Sequence, residues 1–329
     1  VSEVIGLSEN GETPSTTGTP VDKATLASFV ARVFIGGSNA VAVRISSLEL
    51  PPFWGAAARS VGAAAIFWVI LLVRRAALPR GRALLGAVLY GALGIGASYA
   101  LLYWGIQSMP ASLLMVILSL GPLLTMFFAV GHGLEPFRWR GLAGAVIALA
   151  GIAVGVGAEI GRSVPLAALL AVVVGAACIA EASVIFKLFP GGKPLPTNVV
   201  AFTAAACIQV VVSLLAGETW VVPRAPRTTV SFIYLVVVGS VVLFYLYLFL
   251  LSKWTASATS YSFLLFPVAT AAIAALVLGE RVTLRFVFGA GIALIGVWIG
   301  AMWRPAREAA AARVRRAAER CDPPNPGCA

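Results

Sequence analysis

Charge is what this sequence has least of. Its 329 residues include 13 acids, 24 Lys and Arg and one histidine, so 11% of the chain is charged while 60% is hydrophobic. Soluble domains run to about 25% charged and 45–50% apolar residues, so a water-facing globule is excluded. The lone histidine, His132, has no acid or thiol in its own apolar run and reads as a boundary residue rather than a metal ligand or catalytic base. Cysteine offers no framework: Cys178 and Cys207 lie in apolar runs, where a thiol behaves as a small hydrophobe, and Cys321 and Cys328 in the tail lack CxxC spacing. No HExxH, GxSxG or GxxxxGK[ST] pattern occurs, so no enzyme activity, metal or cofactor is expected. The first twenty residues show no apolar core behind a basic start, so no cleavable signal peptide is expected and residues 1–22 read as a disordered cytoplasmic tail.

What the chain has in abundance is apolar runs of membrane-crossing length, roughly 17–25 residues. Ten can be marked: Ala24–Val43, Phe53–Val73, Ala83–Tyr103, Ser112–Gly131, Arg140–Ala158, Pro165–Phe186, Asn198–Ala216, Val230–Leu251, Ser257–Leu278 and Phe286–Trp303. Hydrocarbon offers the backbone no outside partner, so each run predicts a helix. The expected class is an all-α polytopic membrane protein with ten transmembrane helices.

The runs are organised by a duplication. Between residues 111–155 and 256–300, a constant shift of 145 with no gap, fifteen of 45 positions are identical, among them Pro122/Pro267, Glu135/Glu280 and Arg140/Arg285. A mid-run proline, an acid and an arginine in register are hard to obtain by composition alone, and repeats are sought first. The units expected are residues 23–158 and 163–303, with a basic cytoplasmic tail at 304–329. Five spans is an odd number, so the second unit enters the membrane upside down. Such inverted repeats are a recurrent transporter architecture, with a site at the repeat interface and alternating access.

Orientation follows from the basic residues. With the N-terminus placed inside, the inner side collects ten ahead of the C-terminal tail, most densely from Arg74 to Arg82, and six tail arginines, while Arg44, Arg162, Arg224, Arg227, Arg281 and Arg285 fall outside. Both termini are therefore expected in the cytoplasm. The excess of +11 reads as membrane orientation, so the lipid bilayer and not nucleic acid is the expected partner. Arg313, Arg316 and Arg320 share a helix face, which suits the anionic inner leaflet or a solvated tail.

Ionisable residues within spans are costly and are functional candidates by default. Arg32 and Glu181 lie at similar depth in the first helices of the two halves, so a pair across the repeat interface is expected, with Glu181 as a substrate-contacting or protonatable group and protons as candidate coupling ion. A static ion pair is the alternative. Arg59, six residues into its span, is expected to snorkel to the interface. Pro122 and Pro267 each delete a helix hydrogen bond, giving either a gate or a packing bend. Gly151-x-x-x-Gly155 and Gly296-x-x-x-Gly300 permit close helix approach, within the chain or across a candidate homodimer. Ser38, Asn39, Tyr99, Tyr103, Gln107, Tyr245 and Tyr261 are the candidate cavity residues. Phe244, Tyr245, Tyr247 and Phe249 could face either a cavity or the interfacial belt.

In order and spacing the chain resembles the EamA branch of the drug/metabolite transporter superfamily. The resemblance rests on Gly37-Ser38-Asn39, Leu50-Pro51-Pro52 followed by Arg59, Tyr99 to Tyr103 leading to Ala111-Ser112, then Pro122, Glu135 and Gly144/Gly151, repeated as Ala256-Ser257, Pro267, Gly279-Glu280-Arg281 and Gly289/Gly296. The first-half loop departs from it, reading Gly133-Leu134-Glu135-Pro136. Arg32 and Glu181 match no family pattern, so no role passes to them. The resemblance implies a ten-helix inverted-repeat carrier with a central cavity, exporting small metabolites or amino acids across the cytoplasmic (inner) membrane. An uncoupled facilitator, an integral-membrane enzyme and a scaffold are the competing readings.

Overall fold

The computed structural model describes residues 23–134, 137, 139–159, 164–189, 192–254, 256–260, 262–279 and 283–301. Both tails, Glu135, Tyr261, Glu280 and Arg281 lie outside the described residues. Among the described residues there is no strand, and the helices fall into ten units. They are α1 (Lys23–Ser46), α2 (Pro52–Val73), α3 (Arg82–Ser108), α4 (Ala111–Leu118 and Gly121–Gly131), α5 (Trp139–Glu159), α6 (Leu166–Leu188), α7 (Pro194–Leu215), α8 (Pro226–Lys253), α9 (Ala256–Ser260 and Ser262–Leu278) and α10 (Leu284–Ala301). Seven of them, α1–α4 and α6–α8, are long and apolar enough to cross a bilayer on composition and length. Their outward faces are apolar, with Phe34, Leu72, Leu215 and Val230 exposed, as lipid contact requires.

Proline and glycine set the boundaries. Pro52, Pro194 and Pro226 open α2, α7 and α8, where a missing N–H costs nothing and the fixed φ already suits a helix. Gly133 and Gly279 follow α4 and α9 with φ of 72° and 66°, left-handed turns that stop a helix. The two equivalent prolines act differently. At Pro122 the helix breaks: the Ser119 and Leu120 amides turn back to Val116 O (3.2 Å) and Ile117 O (3.0 Å). Pro122 has no N–H to offer Leu118 O, and α4 restarts at Gly121. Pro267 lies inside the continuous segment Ser262–Leu278.

The duplication is visible in the backbone. α3 contains a π-helical stretch, Ala92–Ala97, and α8 contains another, Val237–Val242, which the 145-residue shift superposes position for position. The two stretches share only Gly94 and Gly239 in sequence, so the bulge repeats where the side chains do not. The second copy is inverted. Gly151 of α5 lies against Gly289 and Ala293 of α10, while Gly296 lies against Gly144 and Ala148. Going up one helix means going down the other, so these equivalent helices run antiparallel. The close approach offered by the small residues is thus made within the chain.

Two acids tie the halves together at one end of the bundle. Glu49, after α1, accepts from the amides of Arg224 (2.6 Å) and Ala225 (3.1 Å) at the start of α8. Glu218, after α7, accepts from Phe53 N (3.1 Å) and Trp54 N (2.5 Å) in the first turn of α2. Each carboxylate meets the unpaired donors and positive dipole end of a helix in the other half. Trp54 stacks flat on Trp220, ring centres 4.6 Å apart. The meeting of the end of α7 with the start of α2, its equivalent, is a second mark of inversion.

Candidate functional site

Between the two repeats lies a cavity with about 100 Å³ open to the centres of water-sized molecules. One water needs roughly 10–15 Å³ on this measure, so the space suits a small organic solute. The first repeat lines it with residues from α1 (Arg32, Gly36, Asn39), α2 (Arg59), α3 (Tyr90, Tyr99, Tyr103) and α4 (Leu114, Met115, Leu118). The second contributes Ile179 of α6, Leu243, Phe244 and Tyr247 of α8, and Phe263 and Phe266 of α9. Several wall residues are partners under the shift: Tyr99 with Phe244, Leu102 with Tyr247, and Leu118 with Phe263. The cavity therefore sits on the pseudo-two-fold between the halves.

Arg59 does not snorkel. It is 1% exposed, because the π-helix of α8 and the α3 tyrosines supply acceptors inside the bundle. Its Nε donates to Ser240 Oγ (2.7 Å), Nη2 to Gly239 O (2.6 Å) and Nη1 to Tyr103 OH (3.3 Å). The guanidinium lies 4.6 Å from the Tyr99 ring centre. Asn39 Nδ2 donates to the same Gly239 O at 3.3 Å. The π-helix of α3 is held from the other half in a comparable way: Gln209 Nε2 of α7 donates to Ile95 O (2.9 Å) and Gly96 O (3.3 Å). A π-turn leaves carbonyls imperfectly satisfied, and such turns concentrate at functional sites.

The expected Arg32–Glu181 pair is not formed. Glu181 Oε1 meets His132 Nε2 at 2.6 Å, joining the end of α4 to α6, and His132 is 40% exposed. Arg32 points elsewhere, into rings of α8 and α9: its guanidinium carbon is 4.3 Å from the Tyr247 ring centre, 4.7 Å from Phe263 and 5.2 Å from Phe266. Equal depth placed the two groups together in the sequence reading, but their helices present them to different neighbours. His132, read as a boundary residue, is the partner of Glu181 instead.

Of the other candidates, Asn39, Tyr99 and Tyr103 reach the cavity. Ser38 shares a 2.5 Å hydrogen bond with Tyr234 OH and is not among the wall residues. Gln107 is exposed, its carbonyl accepting from Arg44 Nη1 at 3.1 Å. Tyr245 is 45% exposed on the outer side of α8, whereas Phe244 and Tyr247, three residues apart, share the inner face. Tyr247 OH bonds Ser183 of α6. Tyr90, Phe263 and Phe266 were not singled out in the sequence. Among the described residues no group of three His, Cys, Asp or Glu side chains could hold a metal.

The comparisons agree with this architecture. The sequence profile of the EamA-like transporter family matches residues 23–156 and 166–301, one match per repeat. The chain is 27% identical over 234 residues to the uncharacterized inner membrane transporter YedA of Escherichia coli strain K12, covering 70% of this chain and 75% of that protein. The YedA proteins of E. coli O6:H1 and O157:H7 match to the same extent. A solved crystal structure shares the fold with a TM-score of 0.64 at 17% identity, covering 85% of this chain and 96% of its own. With both repeats matched and a cavity walled by both, the chain belongs to the EamA-like transporter family and is a membrane transporter.

Proposed function

We propose that this chain is a secondary carrier that moves small organic metabolites or amino acids out of the cell across the cytoplasmic membrane by alternating access. The observation that carries this reading is the cavity shared by two inverted halves, whose walls include shift-related residues. Two halves of like sequence can exchange their shapes, so a site on their pseudo-two-fold can face either side in turn. The broken α4 and the two π-helices put irregular backbone beside that site, where it is tolerated only when protein-buried or facing a cavity. Asn39, Tyr99 and Tyr103 are the proposed substrate-contacting residues. The YedA relatives, which are inner membrane transporters by name, support the membrane assigned.

An uncoupled facilitator is the second reading. No Asp or Glu is among the described residues that wall the cavity, so no acid there links substrate to a proton. A coupled cycle would use Glu181, held by His132. Flux of a pool of labelled amino acids and metabolites into and out of proteoliposomes, with and without a pH gradient, separates the two. Gradient-driven movement lost in Glu181→Gln establishes coupling; movement indifferent to both leaves a facilitator; no movement of any solute rejects the carrier.

A further inference from the structure

Among the described residues Arg32 is a cation without an anion. It is 3% exposed, lies on the cavity wall, and has no hydrogen-bond partner for Nε or Nη1 among the described residues. Three rings surround its guanidinium, and a ring face attracts a cation, but such contacts fall well short of the cost of burying a lone charge away from water. Arg59, on the wall of the same cavity, has neutral partners for its three nitrogens, and among the described residues no acid pairs with it. No Asp or Glu is among the described wall residues, while Tyr90 OH and Asn39 Oδ1 have no partner either. A buried Arg normally pairs with a carboxylate, and its planar fork fits one well.

We propose that the missing partner is the substrate: the cavity takes small organic acids, whose carboxylate docks on Arg32 and whose body rests on the rings of Phe244, Tyr247 and Phe263. The inference rests on the carrier reading and narrows its solute class. Two guanidinium groups with no wall acid favour an anion over a zwitterion, because the ammonium of an amino acid would meet two like charges and no counter-charge. The rings around Arg32 keep its fork from turning away and hold water off the ion pair. In that setting a carboxylate is distinguished sharply from an uncharged group of the same shape.

The test is counterflow in proteoliposomes with labelled benzoate, lactate and succinate, their amides, and phenylalanine. Benzoate or another acid of the set should outrun its own amide and phenylalanine by at least about tenfold, the scale of one charge-assisted hydrogen bond. Arg32→Met should lower acid transport roughly 10- to 100-fold by the same scale and leave amide transport within about twofold. Arg32→Lys should recover part of it. A merely structural Arg32 would depress acids and amides together, and that result overturns the proposal. If Arg32→Met does not fold, thermal stabilisation of the wild type by benzoate but not benzamide decides the same question. Movement of amides or phenylalanine but of no acid sinks this inference and leaves the carrier standing. No movement of any solute sinks both.

Discussion

Gly151 and Gly296 occupy the two ends of one contact. A Cβ on Gly151 would lie 2.4 Å from Ala293 N, and a Cβ on Gly296 would lie 2.4 Å from Ala148 N. The obstacle in each case is backbone, which cannot swing aside as a side chain can. Leucine at either position is expected to destabilise the protein by at least about 1–3 kcal/mol, the usual cost of overpacking. Gly291→Ala is the control, since nothing lies within 4 Å of its would-be Cβ. Thermal unfolding in detergent should show a large loss for the first two and none for the third.

Gln209 is fully buried and spans the halves to the π-turn of α3. Gln209→Leu removes both hydrogen bonds at similar volume. The expected loss is about 0.6–1.7 kcal/mol, the range of interhelical hydrogen bonds in membranes. Hydrogen exchange should rise locally around residues 92–97, and a uniform rise along the chain would disprove a role confined to the bulge.

Glu49 gives a pH-dependent tether. The Arg224 backbone N–H, with the Thr228 hydroxyl, holds its carboxyl below the ordinary value of 4.5. For an acid whose folded value is lowered, the contribution is present above the unfolded value and is lost as pH falls through the folded one. The Arg224 and Ala225 amides should therefore stay protected as the medium is acidified to 4.5 and become exposed only below it. In Glu49→Gln the pH dependence should vanish, as read by exchange at those two amides corrected for intrinsic rate.

Orientation can be read by impermeant thiol labelling on a background without native cysteines. Arg80→Cys, between α2 and α3, should label only after the membrane is opened. Trp220→Cys, between α7 and α8, should label in intact cells. The reverse pattern would place both termini outside.

The ten helices and their inversion were legible because the 145-residue shift carries rare residues: a mid-run proline, an acid and an arginine. Asn39, Tyr99 and Tyr103 were legible as polar groups in apolar runs. What the sequence did not reveal was angle. Depth along a helix follows from counting residues, but the direction a side chain faces depends on every turn before it. That is why Arg32 and Glu181, at similar depth, face different neighbours, and why Tyr245 was chosen over Tyr247. Arg59 stays inside for a related reason: its acceptors, Gly239 O and Ser240, belong to a π-turn with no sequence signature.

The π-turn of α3 has a geometric consequence. At about 100° per residue, Tyr90 and Tyr99 in an unbroken α-helix would differ by roughly 180° and look in opposite directions. One surplus residue in the turn at Ala92–Ala97 takes back about 100°, leaving the two rings roughly 80° apart. Leu102 and Ile106 are swung round with Tyr99. A surplus of one residue thus brings the two ends of α3 to face one chamber: straightening the turn at full length would swing half of that wall out toward lipid, whereas deleting one residue there would keep it in place.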